Sequence, residues 1–262
     1  MPALRLMAVL AHPDDESLGV GGTLAKYASE GVEVFLLTAT RGDAGRYGSH
    51  RPGEAQHPGS AALADIRERE LRAAAAVLGV REVALLDYRD QLLDRAAPQD
   101  VIADIVRHLR RVQPHVVITF GPDGAYGHPD HVAISQYTTA AVVAAADPTI
   151  SKLYYIAWPE STWAAYQSAI KKLTSTVDGV ERQAVPWPDW EITTVLDTRP
   201  FCQTVWRAIA CHASQMTVYT QLRDLSQEHY EALWGVQSFY RVFSTVNGGR
   251  LRETDLFEGI RQ

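Results

Sequence analysis

Short apolar runs alternate with helix-like stretches through the first 160 residues, and this rhythm limits the folds open to the chain. Arg5–Ala11, Val32–Thr40, Glu82–Asp87, His115–Phe120 and Lys152–Ala157 read as strands. Between them Glu16–Glu30, Ser60–Leu78, Gln99–Val112 and Pro129–Ala146 read as helices, stopped in turn by Gly31, Gly79, Pro114 and Asp147-Pro148. Strands alternating with helices build a parallel, doubly wound sheet with helices on both faces, so the expected class is α/β. After residue 158 the rhythm weakens. Ser161–Leu173 and Arg199–Gln215 look helical, residues 180–197 suit a hairpin or an added sheet edge, and Tyr219–Val242 reads as a last helix or two. A single domain is expected, with a catalytic core over 1–160 and a C-terminal elaboration over 161–262 that shapes the pocket.

Composition removes several function classes. A formal charge of −6 leaves no basic surplus to neutralise phosphates, which argues against nucleic acid or an anionic membrane surface as partner. No apolar run approaches bilayer length, and Arg5 interrupts the first one, so neither membrane anchoring nor a secretory leader is expected. The two cysteines, Cys202 and Cys211, form no C-x-x-C pair and read as free thiols in a cytoplasmic protein. Any metal must then be held by histidine and carboxylate.

Two motifs offer that chemistry. A-H-P-D-D-E (residues 11–16) ends the first strand, and G-H-P-D-H (127–131) lies in the loop after the His115–Phe120 strand. Such segments also make ordinary turns, because Pro restricts the residue before it and Asp caps helix starts. Ligands of open parallel sheets, however, bind beyond the carboxyl ends of the strands, where both motifs fall. His12, Asp15 and His131 then suit a catalytic zinc, one per chain, with a fourth position open to water. Asp14, unligated beside Asp15, has the place of a general base. His128 is suited to stabilise an oxyanion or protonate a leaving amine, Tyr126 to polarise a carbonyl, and Asp130 to orient a histidine.

The same motifs closely resemble the PIG-L/LmbE family of zinc-dependent N-deacetylases. Further marks of the resemblance are T-R-G-D-A-G (40–45), R-E-R-E-L (67–71) and, more weakly, C-H-A-S-Q (211–215). It covers roughly residues 5–160 and implies a Rossmann-like core, zinc on His12, Asp15 and His131, and Asp14 as base. It also implies His128 as electrostatic or acid group, tuned by Asp130. Tyr126 matches a tyrosine found in some members only.

The resemblance implies removal of acetyl from an N-acetylglucosamine-type sugar or sugar conjugate, with amide cleavage of a thiol-sugar conjugate or a natural-product glycoside as alternatives. A two-metal phosphoesterase would need a second ligand set, which is not evident. A non-catalytic sugar or nucleotide binder is disfavoured, because Gly19-Val20-Gly21-Gly22 follows an acidic turn that would repel a pyrophosphate. Arg41 and Asp43, in the long polar loop over 41–60, are candidate substrate contacts. Arg67 is weighed between sugar binding and a surface salt bridge. Asp87 or Asp90 is expected to face substrate, and His212 either reaches the site or packs in a helix. The tryptophans at 158, 163, 187 and 190 either stack a sugar or pack into a core or subunit contact. Homo-oligomerisation is left open.

Overall fold

The computed structural model describes residues 3–169, 174–177, 179–217, 219–223, 225–246 and 251–261. Its first half runs β1 (Arg5–Leu10), α1 (Asp15–Ser29), β2 (Glu33–Thr40), α2 (Ser60–Leu78), β3 (Glu82–Tyr88) and α3 (Pro98–Val112). Then come β4 (Val116–Phe120), the single turn α4 (Gly124–Gly127), α5 (Pro129–Ala145) and β5 (Lys152–Ala157). The expected strands and helices of this region are all present, with ends displaced by a residue or two.

The main sheet has strand order β3-β2-β1-β4-β5 through this region, all parallel. Right-handed crossovers place α1 and α2 on one face and α3 and α5 on the other. From Leu6 to Leu10, β1 is apolar and buried on both sides, as a central parallel strand must be. The order of strands reverses between β1 and β4, which makes the gap beyond their carboxyl ends the crevice of the fold.

The remainder comprises α6 (Glu160–Ala169), β6 (Thr174–Val177), β7 (Val180–Gln183), β8 (Thr194–Asp197), α7 (Cys202–Cys211), α8 (Thr220–Arg223), α9 (Gln227–Trp234) and β9 (Val236–Ser244). β6 and β7 form a separate hairpin, while β9 and β8 continue the main sheet antiparallel beyond β5. The span 180–197 therefore contributes both a hairpin strand and a sheet edge. The helical reading of Tyr219–Val242 holds only to Trp234. Antiparallel pairing with β5 and β8 makes Val236–Ser244 a strand, which the mixed aromatic spacing hides in the sequence. The end of the expected helix Ser161–Leu173 lies outside the described residues.

The C-terminal region is fastened to the core in two ways. The α1 glycines let α7 and the turn before it approach closely: a Cβ at Gly22 would stand 2.8 Å from the Thr198 side chain, and one at Gly21 3.3 Å from Val205. On the same face of the sheet, beside α1, buried Lys152 donates to Glu253 at 2.7 Å, and Tyr154 and Thr194 donate to the other Glu253 oxygen at 2.7 and 2.8 Å. No helix among the described residues is long and apolar enough to cross a membrane.

Candidate active site

The turn after β1 and the loop after β4 meet at the crevice. His12 Nδ1 lies 3.1 Å from His131 Nε2, His131 Nε2 lies 3.4 Å from Asp15 Oδ1, and His12 Nδ1 lies 3.7 Å from Asp15 Oδ2. All three residues are buried. Four ligands at tetrahedral zinc distances of about 2.0–2.1 Å stand roughly 3.3–3.4 Å apart, so this triangle is metal-sized. Two corners of this triangle also have supports of their own. Asp15 Oδ2 accepts the amides of His12 and Ala11 at 2.7 and 3.2 Å, and the His131 ring stacks on Phe120 at 4.0 Å.

His12 is gripped from behind. Its Nε2 lies 3.1 Å from Asp130 Oδ2 and 3.1 Å from Asp90 Oδ1, which fixes the tautomer that leaves Nδ1 free to ligate. Asp130 is itself anchored by the amides of Gln91 (2.7 Å) and Leu93 (3.0 Å). Burial disfavours charge on His12, but Asp90, Asp130 and Asp15 outweigh it and hold its pKa well above the ordinary range. Asp14, Asp15, Asp90 and Asp130 are all buried within this cluster, and Arg67 is a buried cation beside them. Such an acidic, histidine-bearing pocket fits a divalent cation. Two further triads, His12/His128/His131 and His12/Asp90/Asp130, also come within ligating range. The second is better read as orienting support, because backbone amides already occupy Asp130.

Asp14 stands at the α1 N-terminus with φ +113°, a left-handed conformation rare outside glycine. Its Oδ2 accepts from Arg67 (3.0 Å) and from the Tyr219 hydroxyl (2.8 Å), and Oδ1 has no donor among the described residues. Burial pushes its pKa up, against the opposing pull of Arg67 and the Tyr219 hydrogen bond.

His128 caps α5. Its Nδ1 accepts the Asp130 amide at 3.2 Å, and its ring centroid lies 4.8 Å from both His12 and His131. Burial, reinforced by positive charge on His12 and His131, pulls its pKa well down. The Asp130 carboxylate therefore bears on His12, and its link to His128 runs through the backbone. Tyr126 sits edge-on to His128 (5.9 Å) and His131 (5.4 Å), its phenol kept protonated by burial and by Asp15 and Asp14.

The other candidates are engaged with protein. Arg67 is no surface residue: it is 4 % exposed and reaches Asp14, the Pro13 carbonyl and the Gly42 carbonyl. A Cβ at Gly42 would come within 2.1 Å of that guanidinium, so T-R-G-D-A-G serves as the cradle for Arg67. Arg41 pairs with Asp87 at 2.8 Å and with Glu68, and Asp87 is largely exposed. Asp43 accepts the Asp90 amide at 3.1 Å. Trp187 tilts against Tyr240, Trp158 and Trp163 flank Tyr166, and Trp190 is exposed.

Two features had little signal in the sequence. Glu16, which reads as a helix-start residue, is fully buried and bonded to His212 Nε2 at 2.8 Å. Tyr219 belongs to a segment whose aromatics show no clear period, and nothing local points to Asp14. The only available clue was the C-H-A-S-Q resemblance. Its Ser214 donates to Glu70 of R-E-R-E-L at 2.7 Å, and its Gln215 donates to the Arg46 carbonyl at 2.7 Å.

Residues 7–142 match the family model PIG-L, described as GlcNAc-PI de-N-acetylase. The chain is 35% identical to the 1D-myo-inositol 2-acetamido-2-deoxy-alpha-D-glucopyranoside deacetylase of Kineococcus radiotolerans, over 98% of this chain and 83% of that protein. The N,N'-diacetylchitobiose deacetylase of Pyrococcus horikoshii shares the fold at TM-score 0.63 and 21% identity, covering 92% of this chain and 84% of that one. So does a 4-carboxy-2-hydroxymuconate hydratase of Pseudomonas putida, at TM-score 0.68 and 21% identity, covering 94% and 99%. The same fold thus carries different reactions, and the site has to decide between them.

Proposed function

The chain belongs to the PIG-L family, and from that premise we propose that it is a zinc-dependent hydrolase removing acetyl from an N-acetylglucosaminide, with an inositol glycoside as the first substrate to try. The carrying observation is the triangle of His12, Asp15 and His131 with the free Oδ1 of Asp14 beside it. The inositol aglycone comes from the full-length relatives, named for a deacetylase of that sugar, at 35% and 33% identity.

His12, Asp15 and His131 would hold the zinc ion, which would supply Lewis-acid activation of the carbonyl and of the attacking water. Asp14 takes the proton from the attacking water through Oδ1, while Arg67 and Tyr219 keep its Oδ2 occupied. Because His128 Nδ1 accepts a backbone amide and the ring is held neutral, its Nε2 carries the hydrogen. His128 thus serves as a neutral donor to the carbonyl oxygen as it gains charge, with Tyr126 as a second protonated donor at its side. The proton on Asp14 then passes to the amide nitrogen as the C–N bond breaks, giving acetate and a free amine.

The test is acetate release from N-acetylglucosaminyl-inositol, N-acetylglucosamine and a thiol-sugar conjugate, with and without chelator, alongside metal analysis. The expected result is about one zinc per chain, chelator-sensitive acetate release and preference for the inositol glycoside. Full activity in metal-free protein would overturn the mechanism, and amine release without acetate would move the substrate to another amide.

A further inference from the structure

We propose that Glu16 and His212 are a positioning pair that holds the Asp14 turn in its reactive conformation. This rests on the assignment of Asp14 as the base. Three observations meet at this point. The Asp14 backbone sits at φ +113°, ψ −25°, where an L side chain is strained, so something nearby must hold it there. Glu16 supplies one restraint: its Oε2 accepts the Asp14 amide at 3.0 Å, from two residues along the chain. The Glu16 carboxylate, fully buried, is in turn held through Oε1 by Ser17 Oγ and by His212 Nε2 at 2.8 Å.

His212 comes from the far end of the chain, 196 residues away, at the C-terminus of α7. Its own backbone is set by its neighbours. The His212 carbonyl accepts the Gln215 amide at 2.9 Å, the Ser214 amide and hydroxyl bind Glu70, and Gln215 holds the Arg46 carbonyl. The H-x-S-Q run thus ties α2, the long loop after β2 and the catalytic turn together. His212 touches neither the proposed ligands nor the reacting groups. It acts through Glu16 on the Asp14 amide, and the carboxylate of Asp14 is aimed by where that amide sits.

A positioning role makes demands that mere packing does not. His212→Phe keeps the ring volume and removes the donor. It should lower kcat roughly 10- to 100-fold, the range of a hydrogen bond to a charged group, with KM and zinc content unchanged. His212→Gln restores an amide donor and should recover most of that loss. The double variant Glu16→Gln/His212→Phe should be no slower than the worse single variant, because the pair acts as one unit. A crystal structure of His212→Phe should find Asp14 relaxed out of positive φ, a readout independent of turnover. The inference is overturned if His212→Phe keeps kcat within twofold, if Gln and Phe variants are equally slow, or if Asp14 stays at positive φ. The reading it rests on fails separately, by an active Asp14→Asn enzyme.

Discussion

The loops after β1 and β4 and the segment from His212 to Tyr219 face the same carboxylates but contribute different things. The loops bring His12, Asp15, His128 and His131, whose polar atoms converge on one small volume, with Asp14 next to Asp15 in the chain. The C-terminal segment brings Tyr219 to Asp14, His212 to Glu16 and Ser214 to Glu70, and none of these enters the metal triangle. A parallel sheet supplies a place where loops converge, but each loop is short and locally strained. The later segment, laid across α1 and α2 by α7, bears on the strained Asp14 turn through Glu16 and Tyr219. The difference teaches that a site's chemistry and its rigidity can be encoded in separate parts of one chain.

The sharpest way to break this division is to remove one member of each kind within the first region. Asp14→Asn should retain zinc and lose roughly 10²- to 10⁴-fold in kcat, the usual weight of general acid–base catalysis. His131→Ala should lose zinc and activity together. Zinc quantification after gel filtration, run beside the acetate assay, separates the two. Should Asp14→Asn also release the metal, Asp14 would belong with the ligands.

A smaller effect probes the second region where it touches the first. Tyr219→Phe leaves the ring and deletes the donor to Asp14. Burial holds the Asp14 pKa up, and the Tyr219 hydrogen bond is among the interactions holding it down. Its removal therefore raises the pKa, so the carboxylate is protonated over a wider acid range. The acid limb of the kcat/KM profile should move to higher pH. Activity falls on that limb and changes little on the plateau. An unmoved limb would mean that Tyr219 only packs.

The same division explains what could be read from the sequence. Period and punctuation revealed the five parallel strands, because a strand buried on both faces is apolar throughout. The two histidine motifs were legible because His, Asp and Pro at a strand end have few other uses. Arg67 was ambiguous, since burial of a helical arginine depends on Gly42 and Gly45, 22 or more residues away, leaving room for its guanidinium. Glu16 looked like a helix-start residue because that role is local, whereas its partner lies 196 residues on. β9 was read as helix because its aromatics stand at adjacent positions on opposite faces of the sheet, Phe239 against Tyr154 and Tyr240 against Tyr155 and Trp187, so no alternation of apolar and polar residues marks the strand. Long-range partnership leaves no local trace.

The smallest expected effect tests whether the C-terminal tie bears on stability more than on catalysis. Ser214 donates to both Glu70 oxygens, from its amide to Oε1 and its hydroxyl to Oε2, each at 2.7 Å. Ser214→Ala deletes the hydroxyl's bond to Glu70 and the bond it accepts from Gln215 Nε2 at 3.0 Å, leaving the amide bond and the His212 contact in place. One hydrogen bond to a charged group, partly replaced by water, is worth about 1–2 kcal/mol. For a chain of this size that lowers Tm by roughly 2–6 °C. kcat should stay within about twofold of the parent enzyme, because Glu16 and Asp14 keep all their partners. Thermal unfolding followed by circular dichroism, with kcat measured well below Tm, checks both halves. A large loss of kcat at unchanged Tm would place Ser214 on the path that orients Asp14, and the tie would then carry catalysis as well as stability.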